Sequence, residues 1–223
     1  MNQYIITDIH GCCTTFKKLL KKIRFSKKDE LYLLGDYIDR GPDSKGVIDH
    51  IWHLQKSGHT VHCLKGNHEQ MMVDALTHES AQDIWFKNGG METCNSFDFA
   101  SGKSPDKYLD WMDSLPTYFE VGKYILVHAG LKFGVKNPLE DSDAQMWVRN
   151  WYHNINYNWL GDRYIVHGHT PRIKSDILKM KDELEERRVL NLDGGCVFGK
   201  EGYGELVCFE MGGGDVVFER GGE

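Results

Sequence analysis

Six times along this chain a short apolar run breaks off into a cluster rich in Gly, Asp, Asn or His. Tyr4 to Thr7 stops at Asp8-Ile9-His10-Gly11, and Leu31 to Leu34 runs into Gly35-Asp36-Tyr37-Ile38-Asp39-Arg40-Gly41-Pro42. Thr60 to Leu64 precedes Gly66-Asn67-His68-Glu69, and Tyr124 to Val127 leads into His128-Ala129-Gly130. The last two are Tyr164 to Val166, before His167-Gly168-His169-Thr170, and Val189 to Leu192, before Asp193-Gly194-Gly195. Such runs have the length and β-prone content of buried strands, and the switch to turn formers marks where each ends. After each of the first three, apolar residues recur at helical spacing: Phe16, Leu19, Leu20 and Ile23; Val47, Ile48, Ile51 and Leu54; Met72, Val73 and Leu76. Alternation of this kind predicts a parallel sheet with crossover helices, in which ligands bind at the carboxyl ends of the strands. The polar clusters fall at those ends.

Between about 80 and 120 the pattern is helical, with Leu109, Met112 and Leu115 on one face, and from Tyr118 onward it becomes mainly strands, so the fold is mixed α/β. At 223 residues the chain suits one domain spanning 1–223. The charge-dense run at 179–188 and the Lys pairs at 17–18, 21–22 and 27–28 are read as solvated faces. A net charge of -6 gives no general field for polyanions, which argues against nucleic acid as a partner. The first residues carry no signal-peptide pattern and no run is long enough to span a bilayer, so a cytoplasmic protein without a membrane partner is expected. Six cysteines without C-x-x-C spacing are read as buried thiols. The sequence leaves the oligomeric state open.

Asp8, His10, Asp36, Asn67, His128 and His169 all follow apolar runs, so one edge of the fold can gather them. Mixed oxygen and imidazole donors suit two divalent transition metals, manganese first, with iron or zinc as alternatives, over magnesium in an all-oxygen shell.

The ordered motifs D-I-H-G (8–11), G-D-Y-I-D-R-G (35–41), G-N-H-E (66–69), V-H-A-G (127–130) and G-H-T (168–170) resemble those of the calcineurin-like metallophosphoesterases. Within that family they are most similar to the phosphoprotein phosphatase branch, in particular its small prokaryotic and phage serine/threonine protein phosphatases. The resemblance runs from Tyr4 to about Phe198. It implies a four-layer α/β/β/α sandwich with two mixed sheets. It also implies that Asp8 and His10 hold one metal, that Asp36 bridges both, and that Asn67, His128 and His169 complete the second. Thr7, Ile38 and Ala129 depart from the family's commoner Gly, Val and Gly, and none of the three removes a ligand.

By the same resemblance the reaction is direct attack on phosphorus by a hydroxide bridging the metals. Two dications, two carboxylates and that hydroxide leave about +1 by formal charge, enough to attract a phosphate dianion despite the acidic chain. Arg40 and Arg149 would clamp the phosphoryl oxygens, and His68, oriented and kept protonated by Asp39, would be the general acid. Glu69 would brace that pair or Arg40, or simply cap a helix. His167, two residues before the ligand of the G-H-T motif, is read as packing or supporting. The chain lacks a C-x₅-R thiolate motif, an aspartyl-phosphate motif, a Walker A loop and H-E-x-x-H.

The expected substrate is a phosphoprotein or small phosphoester, with a serine/threonine protein phosphatase as the leading reading. The rival is a symmetrical dinucleoside polyphosphate hydrolase, whose relatives share D-I-H-G-C and the continuation Arg40-Gly41-Pro42 but usually lack both Asp39 and Glu69. A third reading is a scaffold that has lost catalysis, against which stands the complete set of ligand positions. The aromatic stretch Trp147, Trp151, Tyr152, Tyr157 and Trp159 either walls the cleft or packs in the core.

Overall fold

A period-two alternation in the first strands assigns side chains to two separate cores. In the computed structural model, which describes residues 1–102 and 105–223, the order begins β1 (Gln3–Ile6), α1 (Cys13–Lys22), β2 (Glu30–Leu33), α2 (Ser44–Lys56), β3 (Thr60–Cys63), α3 (Asn67–Thr77). It continues through α4 (Gln82–Lys87), α5 (Gly90–Phe97), α6 (Asp106–Asp113), β4 (Tyr118–Val121), β5 (Tyr124–Val127), α7 (Ser142–Trp147) and α8 (Tyr157–Leu160). The last elements are β6 (Tyr164–His167), α9 (Lys174–Asp182), α10 (Leu184–Arg187), β7 (Val189–Asn191), β8 (Glu205–Glu210) and β9 (Val216–Arg220).

Tyr4, Ile6, Leu31, Leu33, Val61 and Cys63 point to one core, shared with Phe16 and Leu19 of α1, Val47 and Ile51 of α2, Met72 of α3 and Met112 of α6. Ile5, Tyr32, Leu34 and Leu64 point the other way, into a core shared with Ile125, Val127, Ile165, Val166 and Leu190. Each fully buried Leu, Ile or Phe contributes about 1.5–3 kcal/mol, so a one-residue slip of register would reverse every one of these assignments. Two sheets therefore lie face to face, one ordered β3-β2-β1-β8-β9 and the other β4-β5-β6-β7. Helices α1 to α3 cover the outside of the first, and α9, through Ile177 and Met180, packs on the second beside β7. This is the expected four-layer arrangement.

The parallel reading holds for β1-β2-β3 and for β5-β6-β7. Each sheet is nevertheless mixed, because β8 and β9 add antiparallel to β1 and β4 adds antiparallel to β5. The stretch after Tyr118 is also less strand-rich than its sequence suggests. Helix α9 overlaps the charge-dense run, and only Ile177 and Met180, three residues apart, mark its buried face. Among the described residues, no helix is long and apolar enough to cross a membrane.

Candidate metal centre and active site

The loops that leave β1, β2, β3, β5 and β6 at their carboxyl ends converge, and the backbone there is strained. Six of the ten non-glycine residues with positive φ among those described are Asp8 (52°), His10 (46°), Asp36 (56°), Asp39 (70°), Arg40 (69°) and His169 (67°). The left-handed region costs an L-residue roughly 1–2 kcal/mol, so it persists only where surrounding contacts over-determine it. Glu69 supplies several of those contacts. Its carboxylate accepts from the backbone N–H groups of Asp36 and Tyr37, each at 2.8 Å, and of Gly66 at 2.9 Å. Glu69 thus splints the loop after β2 and caps α3; it touches neither the acid pair nor Arg40 in these contacts.

Two trios of side chains could each hold an ion: His10, Asp36 and His68, and Asp36, His128 and His169, all buried and with ligand atoms within 4.8 Å of one another. Asp36 is common to both. Asn67 joins the second, its Oδ1 lying 2.9 Å from His128 Nε2 and 2.8 Å from His169 Nδ1. Asp8 belongs to neither trio; its oxygens accept from the His169 backbone N–H at 3.0 and 3.1 Å and from the Thr7 hydroxyl at 2.5 Å. His68 is the third member of the first trio.

The hydrogen-bond roles show that these donors fit a cation. His128 Nδ1 donates to the Leu34 carbonyl at 2.9 Å, which leaves a lone pair on Nε2. That lone pair faces the amide oxygen of Asn67, another acceptor, so the contact is repulsive until a cation lies between them. His10 is arranged alike: Nδ1 donates to the Ile38 carbonyl at 2.8 Å, and Nε2 is turned toward Asp36 Oδ2 at 3.5 Å. Burial pushes His10 well below its ordinary pKa and His169 down to about 2. Burial also pushes Asp36 well up, with Asp8 and Glu69 adding to the effect. Imidazoles held neutral beside carboxylates that repel one another form a donor set that positive ions would satisfy.

Asp39 and His68 meet beside the first trio. His68 Nδ1 is 2.6 Å from Asp39 Oδ2, and both residues are almost fully buried. Burial, reinforced by His10 and Arg40, holds the His68 imidazole well below its ordinary pKa. Burial likewise pushes Asp39 up to about 8, against the downward pull of its hydrogen bonds from Thr93 and Trp85. Arg40 does not reach outward; its Nη1 donates to His10 Nε2 at 2.7 Å. Arg149 is exposed and donates to the His169 carbonyl at 3.3 Å and the Thr170 hydroxyl at 3.1 Å.

His167 supports rather than lines the centre, with Tyr152 Oη 2.7 Å from its Nε2. Trp151 is 4 % exposed and donates to the Ala129 carbonyl, which settles it as core, whereas Trp147 and Tyr157 are exposed. Sequence reasoning missed three buried residues: Trp85 and Thr93, which hold Asp39, and Asp193, whose carboxyl is driven up by burial and by Asp8. Asp193 could have been found, since it follows an apolar run as Asp8 and Asp36 do. Trp85 and Thr93 sit in helices with no such signal.

Known proteins resemble this chain in sequence and in fold. Over 136 residues the chain is 34% identical to a symmetrical bis(5'-nucleosyl)-tetraphosphatase of Buchnera aphidicola, a match covering 59% of this chain but only 45% of that one. Over 203 residues it is 28% identical to serine/threonine-protein phosphatase 1 of Salmonella typhimurium, covering 88% and 87% of the two chains. A protein serine/threonine phosphatase structure from Saccharomyces cerevisiae superposes over all of this chain and 80% of its own, with a TM-score of 0.67 at 13% identity, a likeness of fold. The chain is an enzyme. Residues 1–212 match the calcineurin-like phosphoesterase family as a whole, and the chain belongs to that family.

Proposed function

We propose that this metallophosphoesterase is a phosphomonoester hydrolase using two divalent metal ions, and that it removes phosphate from serine and threonine in proteins. The observation that carries this reading is the buried His68–Asp39 pair at 2.6 Å. A serine or threonine alkoxide is a strong base and departs readily only as it is protonated, whereas a nucleoside polyphosphate is a weak base and departs without an acid. A positioned acid contributes about 10²–10⁴-fold, and a chain acting only on anhydrides has little use for one.

Asp8, His10, Asp36, Asn67, His128 and His169 would hold the ions, with manganese suited to this mix of carboxylate, amide and imidazole. When bound, the ions supply Lewis acidity and a water of lowered pKa. The protein's own groups do the rest. Arg40 and Arg149 bind phosphoryl oxygens, the fork of each guanidinium matching two of them. Asp39 fixes the His68 ring through Nδ1, and Nε2, 3.9 Å from Asp36 Oδ2, is turned toward the ion site. The negative charge of a bound phosphate, together with the hydrogen bond between Nδ1 and the Asp39 carboxyl, retains the proton that His68 gives to the leaving oxygen. A cytoplasmic setting would keep the six unpaired cysteines reduced.

A second reading, hydrolysis of symmetrical dinucleoside tetraphosphates, has in its favour the names of several relatives. The experiment that separates them is turnover by manganese-loaded protein on a phosphoserine peptide, a phosphotyrosine peptide and diadenosine tetraphosphate under one condition. Faster turnover of the phosphoserine peptide is expected. Preference for the dinucleotide would transfer the function to the second reading.

A further inference from the structure

Three residues of the corner formed by α4 and α5 contact the loop that bears Asp39. Trp85, 1 % exposed, directs its indole N–H at both oxygens of Asp39, 3.0 Å from each. Thr93, fully buried, donates its hydroxyl to Asp39 Oδ1 at 2.6 Å, and Thr93 Oγ1 in turn accepts from the Asp39 backbone N–H at 2.9 Å. The carbonyl of Gly89 accepts from the Arg40 backbone N–H at 3.1 Å. Gly90 lets the corner close this tightly, since a Cβ there would meet the Trp85 ring at 2.6 Å.

Asp39 and Arg40 are consecutive residues in the left-handed region, a conformation that must be imposed from outside. A carboxylate attached there could rotate about its χ angles, yet Trp85 and Thr93 take the lone pairs not used by His68. Only one orientation satisfies all three partners, and it presents Oδ2 to His68 Nδ1.

We infer that Trp85 and Thr93 are positioning residues for the leaving-group acid: they hold the Asp39 carboxylate by both oxygens and thereby aim His68 Nε2 at the reacting phosphate. This rests on the reading of His68 as the acid. It assigns a task to a helical corner that carries no ligand and no phosphate-binding residue.

The test is the dependence of rate on the leaving group. Trp85→Phe removes the N–H and keeps an aromatic ring, Thr93→Val removes the hydroxyl at constant shape, and Thr93→Ser restores it. On a phosphoserine peptide the first two should lower kcat roughly tenfold each, the loss expected when a hydrogen bond to a charged group is deleted, with Thr93→Ser close to wild type. On 2,4-dinitrophenyl phosphate, whose leaving group needs no proton, all three should stay within about twofold of wild type. A second readout is independent of turnover: in the zinc-loaded protein the downfield proton line of His68 Nδ1–H should shift or broaden in Trp85→Phe and Thr93→Val and return in Thr93→Ser. Equal losses on both substrates, or an unmoved proton line, would overturn the inference. His68→Asn separates the two levels of argument. If it lowers the rate equally on both substrates, the acid reading itself fails; if it spares the activated ester while Trp85→Phe and Thr93→Val do not, only the positioning role fails.

Discussion

His128 Nε2 and His169 Nδ1, carried by the ends of β5 and β6, face each other at 3.2 Å, with Asn67 Oδ1 2.9 and 2.8 Å from them. Metal–nitrogen bonds of about 2.0–2.1 Å place neighbouring ligands at right angles about 3 Å apart, so this triangle has the dimensions of one face of a coordination shell. The Asn67 to His128 contact joins two acceptors, and an ion would turn that repulsion into two bonds.

Manganese or zinc should therefore stabilise the protein. At a hundredfold excess over the dissociation constant the gain is about 2.7 kcal/mol, equivalent to roughly 5–10 °C in Tm for a chain of this size. His169→Asn should lose part of that shift and lower the bound metal per chain, both read by thermal unfolding and elemental analysis. A variant that keeps the full shift and full metal content would remove His169 from the centre.

Gly168 occupies the tightest place near Asp8. A Cβ added there would fall within the van der Waals radii of Asp8 Oδ2 and of the Thr7 hydroxyl. Neither neighbour can retreat, because Thr7 donates to Asp8 at 2.5 Å and Asp8 is pinned by the His169 N–H. Gly168→Ala should cost about 1–3 kcal/mol, as overpacking does, and should depress activity far more than that loss of stability explains. Urea unfolding alongside turnover decides it; wild-type activity in this variant would show that Asp8 tolerates displacement.

Much of this centre was legible because the fold places chemistry at strand ends, where a four-residue apolar run and a following Asp, Asn or His are both visible in one dimension. Asp36, His128 and His169 are of this kind, and they do converge. What was not legible depends on contacts between segments distant in sequence. Trp85 reaches Asp39 across 46 positions and Thr93 across 54, from helices whose patterns report only burial. The antiparallel additions of β8 and β4 were hidden for a related reason, since strand pairing is a property of two segments and period-two alternation describes one. Trp151 sat in an aromatic run compatible with cleft or core, and only its bond to the Ala129 carbonyl separates the two.

Trp151→Ala should consequently act through stability. Removing a ring 4 % exposed, packed near Phe133, Tyr152 and His167, should cost about 3–5 kcal/mol. Any residual activity should fall by a similar factor on every substrate. A change confined to KM for one substrate class would return Trp151 to the cleft wall.

The His50 side chain, against Phe16 at 5.7 Å, gives a pH dependence separate from the active site. Burial, with smaller contributions from Lys17 and neighbouring histidines, lowers its pKa to about 4. Its folded pKa lies below the unfolded value, so between about 6.5 and 4 the unfolded chain binds more protons and stability falls as pH falls. Above about 6.5 the imidazole is neutral in both states and contributes no slope. His50→Gln should flatten the decline by about 1–2 kcal/mol over that window, allowing for solvent screening of a half-buried group. Urea unfolding of wild type and variant at pH 7, 5.5 and 4.5 measures the difference; parallel curves would refute it.

Arg40 gives the prediction with two opposed readouts. Its Nη1 donates to His10 Nε2 at 2.7 Å, and that lone pair is the one an ion at the first position requires. An ion must displace a hydrogen bond from a charged group and must also approach a guanidinium of its own sign. Both effects weaken binding at that position, and Arg40→Ala removes both. The variant should therefore bind its first manganese more tightly, by roughly tenfold if the hydrogen bond contributes about 1.5 kcal/mol. The same change deletes a phosphate-binding fork, so KM for a phosphopeptide should rise and inhibition by inorganic phosphate should weaken. Arg40→Lys keeps the charge without the fork and should fall between the two in metal affinity while losing most of the phosphate binding. Calorimetric titration with manganese and inhibition by phosphate report the two effects separately. Unchanged metal affinity in Arg40→Ala would mean that the guanidinium leaves His10 free in solution, and unchanged phosphate inhibition would mean that Arg149 binds the phosphoryl group alone.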